Sequence, residues 1–270
     1  MKLPELAPAG LMLAVLLVTP AFLSVSHAQT SEPPAARTPV LVELFTSEGC
    51  SSCPPADALL QYLQAQQPVP GAEIIPLEEH VDYWNHDGWV DPYSSPEWTE
   101  RQATYVSLIK KDVYTPELVV NGQSQFLGSD SQAAAREIEK AAHILRTEVA
   151  ITSAAPASKG AQQFHVSVGK LEGNTAGDVA EVWLAVTEDG LHSSVSSGEN
   201  AGHMLNHTAT LRWLHKIGVA ATAGGLSSFA SDAVVKINSK WKMENLHVTV
   251  FVQRKKSREI LGAASTRISG

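Results

Sequence analysis

Apolar positions fall into three textures along this chain. The first is nearly continuous, from Leu11 to Val18 and from Ala21 to Val25, preceded by Met1-Lys2 and followed by Ser26-His27-Ala28 and polar Gln29-Thr30. That pattern predicts a signal peptide over 1–28, cut after Ala28, where small residues at Ser26 and Ala28 suit cleavage. The run is short of the roughly 20 apolar residues a membrane-spanning helix needs, and Pro20 interrupts it. An uncleaved anchor, and any stable membrane insertion after processing, are therefore disfavoured.

The second texture alternates β-rich runs with helical periodicity. Val40 to Thr46 reads as a buried strand bounded by Ser47-Glu48-Gly49, and Pro54-Pro55 then opens a helix with Ala58, Leu59, Tyr62 and Leu63 as its apolar positions. Pro68 to Gly71 ends that helix. Glu73 to Val81 reads as a second strand, weakened by Pro76. An aromatic loop from Asp82 to Pro96 leads into a helix from Glu97 to Lys111. Leu118-Val119-Val120, Asn121-Gly122 and Gln125-Phe126-Leu127 spell a hairpin. Ser129-Asp130 caps a last helix from Ser131 to about Arg146.

After Glu148 the texture changes again. Phe164 to Val168, Val179 to Val186, Leu246 to Val252 and Glu259 to Ile268 are short β-rich runs between Gly, Ser and Asn clusters, with residues 153–160 as an early loop. Such spacing predicts an antiparallel sandwich. The expected architecture is an α/β thioredoxin-like domain over 29–148 followed by an all-β sandwich-like domain over 149–270. A chain of 270 residues accommodates two domains.

Charge narrows the partners. The formal net charge is −8, and removing 1–28 deletes one Lys and one Glu, so it stays −8. An acidic chain whose longest basic run is Arg254-Lys255-Lys256 repels a phosphate backbone, which argues against nucleic acid.

The sequence has two cysteines, in Cys50-Ser51-Ser52-Cys53, at the junction of a strand and a helix N-terminus. A thiol attacks a disulfide as thiolate, and the free N–H groups and dipole of a helix N-terminus favour that form. Cys50 is expected as the attacking sulfur and Cys53 as the resolving one. A purely structural staple would close a loop of four residues, worth only about 2 kcal/mol in chain entropy. A zinc site of the four-cysteine kind lacks its second Cys pair. The expected activity is thiol-disulfide exchange on protein thiol or disulfide clients, with no cofactor. The alternatives are a secreted binding or adaptor protein holding an inert disulfide, and a copper-handling protein using the dithiol and a nearby His.

The segments Val42 to Asp57, His80 to Trp84, Gly88 to Ser95, Arg101-Gln102, Tyr114-Thr115-Pro116, Val120-Asn121-Gly122, Gly198 to Gly202 and Leu205-Asn206-His207 together resemble the DUF1223 family of secreted thioredoxin-like proteins. The resemblance spans nearly the whole mature chain and implies an exported, periplasmic or secreted, protein. The wider likeness to thioredoxins implies two supporting catalytic residues. Pro116 matches the cis-proline that faces the dithiol, and Glu43 corresponds to the buried carboxylate that serves the inner cysteine. No Trp precedes Cys50 and no Pro lies between the cysteines, which departs from ordinary thioredoxins.

Other residues suggest chemistry more weakly. His80 and Asp82 alternate on one strand and read as a hydrogen-bonded structural couple. His203 and His207 have a helical metal spacing, but the run after them reads as strand, so they are not counted as ligands and no metal site is assigned. Tyr83, Trp84, Trp89 and Tyr93 are candidates for an apolar wall or for the loop's own small core.

Overall fold

We describe a computed structural model covering, Met1 aside, residues 37–268 apart from 110–111, 155–157, 159, 172–176 and 224–225. The expected signal peptide lies outside the described residues. From Ala36 onward the chain forms one compact unit.

The first half adopts the anticipated order of elements. These are β1 (Thr38–Thr46), α1 (Pro54–Gln66), β2 (Ala72–His80), α2 (Pro96–Ile109), β3 (Glu117–Val120), β4 (Ser124–Leu127) and α3 (Ser131–Ala142). Local signals account for the boundaries. Asn121 and Gly122 both take positive φ, 47° and 69°, in the turn between β3 and β4. Asp130 caps α3 by accepting from the Gln132 and Ala133 N–H groups. The helix ends at Ala142, short of Arg146.

The described residues of the second half form, apart from a short 3-10 turn at Met243–Asn245, the strands β5 (Val149–Ser153), β6 (Ala161–Leu171), β7 (Ala180–Glu188), β8 (Leu191–Ser194), β9 (Met204–His207), β10 (Thr210–Val219), β11 (Ala221–Ala223), β12 (Leu226–Lys236), β13 (Leu246–Arg254) and β14 (Ile260–Arg267). These strands do not make a separate sandwich after a thioredoxin-like domain. Four of them continue the first half's sheet, giving one eight-stranded mixed sheet in the order β14-β13-β7-β10-β2-β1-β3-β4. With 45% strand and 19% helix, the protein is mostly β, which corrects the expected fold class. The remaining strands form a four-stranded sheet, β11-β12-β6-β5, and the hairpin β8-β9.

The join between the two halves of the large sheet is narrow. β10 runs parallel to β2, and the ladder consists of one register pair, Thr210 with Glu78, where the Glu78 N–H donates to Ala209 O at 2.9 Å. Pro76, two residues earlier on the same edge of β2, has no N–H to offer β10, so the ladder has no donor there.

The two faces of this sheet are covered differently. Val40, Val42 and Leu44 of β1, with Leu118 and Val120 of β3, pack under Ala56, Leu60 and Leu63 of α1 and Ala134 and Ile138 of α3. Further along that face, Val182, Leu184 and Val186 of β7 and Val248, Val250 and Val252 of β13 meet Phe164, Val166 and Val168 of β6. On the opposite face Leu41, Ile75, Leu77 and Phe251 gather around Trp98 of α2. Both faces are therefore buried. Among the described residues no helix is long and apolar enough to cross a membrane.

Candidate functional site

β1 is buried from Val40 to Thr46, and its C-terminal end delivers the chain into the turn Ser47-Glu48-Gly49. Gly49 is required there because a Cβ would come within 2.9 Å of the Trp84 Cβ. The Cys50 N–H donates to Ser47 O and the Cys53 N–H to Cys50 O, both at 3.2 Å, so the motif is itself a hydrogen-bonded turn. Cys53 is the N-cap residue of α1, its carbonyl accepting from the Ala56 and Asp57 N–H groups. Cys50 and Cys53 form a disulfide with their Cα atoms 5.4 Å apart.

Both cysteines are fully buried, whereas Ser51 and Ser52 between them are exposed. Cys50, expected from the sequence as the attacking sulfur, is thus no more exposed than Cys53 in the oxidised pair. Two loops provide the cover. Ser52 Oγ lies 3.3 Å from Cys50 Sγ and 3.5 Å from the Thr115 carbonyl, and the Thr115–Pro116 peptide is cis. The Trp84 indole N–H donates to Thr115 Oγ1 at 2.7 Å. From the second half, Asn200 Nδ2 donates to Glu48 O and Cys50 O at 2.8 and 3.0 Å, and Glu199 Oε2 accepts the Ser51 N–H at 3.0 Å.

Glu43 is fully buried, not a solvent-facing edge residue, but it lies on the sheet face opposite α1. There its Oε1 accepts from Arg101 Nε and its Oε2 from the Tyr105 hydroxyl, each at 2.6 Å. Neighbouring Glu79 is also buried; burial pushes its pKa well up, a shift Arg101 opposes and Glu43 reinforces. The Glu43 hydrogen bonds to Arg101 and Tyr105 lead to α2, on the sheet face away from α1.

The α1 face holds a second buried polar cluster. Glu78 and His80 of β2, His207 of β9, Asp57 of α1, Glu48 of the turn and Asp91 of the loop after β2 are all buried. His80 Nδ1 is 2.7 Å from Asp91 Oδ2, His207 Nε2 is 3.0 Å from Glu48 Oε1, and His207 Nδ1 is 3.3 Å from Glu78 Oε1. Burial and adjacent Glu78 push Asp57 up to about 7. Burial alone would raise Glu78, but His207 holds it down to about 2. Burial alone would lower His207, yet Glu78 and Glu48 outweigh it and lift it to about 9. Residues 78, 80 and 207 offer one donor atom each within 4.8 Å of one another, a geometry that could hold a cation.

Residues 41–253 match the family described as protein of unknown function DUF1223. The chain belongs to the DUF1223 family. No curated protein matches it. Among solved structures it is similar to protein AGR_C_4864 from Agrobacterium tumefaciens, with 24% identity and a TM-score of 0.64 over 86% of this chain and 96% of that one. It is also similar to HBP35 of Porphyromonas gingivalis, with 15% identity and a TM-score of 0.62 over 87% of this chain and 77% of that one. At these identities the likeness concerns the fold alone.

In this DUF1223 protein, therefore, Cys50, Cys53 and the Thr115–Pro116 loop come together, while Glu43 stands apart from them. His80 does not couple to Asp82, whose Oδ1 accepts from Thr99 Oγ1 at 2.6 Å; its partner is Asp91. His207, set aside in the sequence because the run after it reads as strand, reaches the site on β9, which pairs with β8. The aromatic loop divides its work: Trp84 supports Thr115, Trp89 donates to Glu48 Oε2 at 2.8 Å, and Tyr93 lies edge-on to the His80 and His207 rings. Glu199 and Asn200 belong to a segment that carries the family resemblance, yet their chemistry suggested no role until the fold set them over the disulfide. Asp57 was missed because a lone carboxylate in a helix's first turn reads as an ordinary dipole partner.

Proposed function

We propose that the Cys50–Cys53 pair is the working centre of an exported thiol-disulfide oxidoreductase that exchanges with protein thiols or disulfides. The observation that carries this reading is the position of the disulfide at the N-cap of α1, alongside the Thr115–Pro116 loop. The bond closes only a four-residue loop, worth about 2 kcal/mol, between β1 and α1, which already share a buried core. A staple there adds little, whereas a thiolate at a helix N-terminus gains from the helix's free N–H groups. Export is supported by the leader pattern of residues 1–28 and by the compartments in which disulfides persist.

In the reductive direction the Cys50 thiolate attacks a client disulfide and expels one client thiolate, and Cys53 then attacks Cys50, releasing the second client thiolate and leaving the Cys50–Cys53 disulfide. In the oxidative direction a client thiolate attacks Cys50, Cys53 departs as thiolate, and a second client thiolate attacks the client sulfur, expelling Cys50 and leaving the dithiol reduced. Pro116 is assigned to the client-facing side of the dithiol. Glu43 is given no proton-transfer step, because its carboxylate is taken up by Arg101 and Tyr105. Expressed in the export compartment and quenched with acid and an alkylating agent, Cys53→Ala should accumulate reductant-sensitive adducts on non-reducing gels, and Cys50→Ala should not. Equal trapping by both variants, or by neither, would reject Cys50 as the nucleophile.

A further inference from the structure

We propose that Glu78, His80 and His207 form a binding site for a divalent transition-metal cation, and that the donor set selects Zn2+. This site is separate from the dithiol and does not depend on its activity.

The argument begins with hydrogen placement. Asp91 Oδ2 already accepts the Glu48 N–H at 2.8 Å, so it acts as a carboxylate acceptor, and His80 Nδ1 at 2.7 Å is its donor. Glu48 likewise accepts from the Trp89 indole on one oxygen and faces His207 Nε2 with the other, so that nitrogen is also a donor. In the neutral rings these two bonds leave His80 Nε2 and His207 Nδ1 as lone-pair atoms, and both point at Glu78. His80 Nε2 is fully buried and has no hydrogen-bond partner; Glu78 Oε2 stands 3.5 Å away. Glu78 is itself fixed by a 2.9 Å hydrogen bond from Thr210 Oγ1. Two ring nitrogens and a carboxylate that converge in a buried space need positive charge between them, which protons on the inward nitrogens supply in the metal-free protein and which a cation supplies once it displaces those protons.

The surroundings repeat the arrangement that orients metal-bound histidines, a carboxylate on the far nitrogen of each ring. Here it occurs twice, with Asp91 behind His80 and Glu48 behind His207. Two nitrogens and one carboxylate match zinc, whereas Cu(I) favours thiolates and Mg2+ or Ca2+ favour oxygen-only sets. Bonds of about 2.0–2.1 Å in a tetrahedral array set donors roughly 3.4 Å apart, so a donor pair as wide as 4.8 Å closes by roughly 1.4 Å on binding. Tyr93, with its ring 5.4 and 5.5 Å from those of His80 and His207, closes the loop side, so the cation enters as the chain folds.

The test is to refold the full mature chain with Zn2+, remove free metal by gel filtration and count bound zinc by mass spectrometry. One equivalent is expected, and Co2+ in its place should give the visible absorption of a tetrahedral nitrogen-oxygen site. The Cys50→Ser/Cys53→Ser double variant should keep the equivalent, which separates this site from any thiolate binding. His207→Gln should lose it, and Asp91→Asn, which retains all three ligands, should bind about 10- to 100-fold more weakly. Wild-type protein that retains no stoichiometric zinc after refolding, or zinc that disappears with the cysteines, would overturn the proposal, whatever the folding of the histidine variant.

Discussion

The two faces of β1 and β2 bury carboxylates in opposite ways. On the α2 face, Glu43 and Glu79 surround Arg101, a guanidinium that stays charged at any physiological pH and reaches Glu43, Tyr105 and Gln253 at once. On the α1 face, Glu48, Glu78 and Asp91 have ion pairs, among the described residues, only with His80 and His207, whose charge is adjustable. One face carries its compensating cation in the sequence. The other supplies donors that can change their proton or metal content, and it is this face that adjoins the disulfide through Glu48 and Asp57.

The comparison breaks most visibly at Arg101. Arg101→Met leaves the Glu43 carboxylate buried without its counter-ion, and removing one partner of a buried pair costs about 3–5 kcal/mol. Urea unfolding of the oxidised protein should show that loss. Adding Glu43→Leu to Arg101→Met should recover most of it, since replacing both partners with apolar groups is often close to neutral. If the double variant is as unstable as the single one, the packing of Arg101 against Tyr105 and Phe251, and not its charge, is what the α2 face requires.

These two clusters also mark what could be read from residues alone. β1, the Asn121-Gly122 turn and the Asp130 cap were legible because each is decided within a few residues. So was the Cys50–Cys53 pair. Strand patterns after Glu148 identified β-structure but not its partners, because alternation records which face is buried and not which strand lies alongside. The single pair joining β10 to β2 left no mark in the sequence apart from Pro76. β12 escaped notice because its run, Leu-Ser-Ser-Phe-Ala-Ser-Asp-Ala-Val-Val-Lys, has few large apolar residues. The α1-face cluster was illegible for another reason: His80 and His207 lie over 120 residues apart, on β2 of the large sheet and β9 of the separate hairpin, and only the tertiary packing brings them together.

A smaller effect is expected at Asn200, which ties the second half of the chain to the α1 face. Its side chain satisfies two carbonyls, of Glu48 and Cys50, and Asn200→Ala would leave both without those donors. At about 0.5–1.5 kcal/mol for each net hydrogen bond, the variant should lose roughly 1–3 kcal/mol. Because Asn200 also covers Cys50, reduction of the disulfide by an added dithiol should be faster than in the wild type, as followed by thiol release. Lost stability with an unchanged reduction rate would mean that the loop braces the turn without guarding the sulfur.

The smallest effect provides the control for both faces. Asp189 follows β7 at the seam of the two sheet halves, where its carboxylate accepts the Ala209 N–H at 2.8 Å and Gln64 Nε2 at 3.1 Å, with His247 Nε2 3.2 Å away. Burial would raise its pKa, but His247, Ala209 and Gln64 outweigh that and hold it down to about 2. A depressed carboxylate stabilises the fold fully above its ordinary value of 3.8, and this contribution fades as pH falls from there through about 2. Unlike the two clusters, Asp189 remains partly exposed, so solvent screens it and the effect should stay within about 1 kcal/mol. Asp189→Asn should therefore be slightly less stable than the wild type at neutral pH. The gap should narrow as the pH of urea titrations is lowered below 3.8, because the wild type loses a charge that the variant never had. A gap that stays constant over that range would assign the effect to hydrogen-bond geometry, and a gap as large as that of Arg101→Met would mean that exposure does not distinguish the seam from the buried faces.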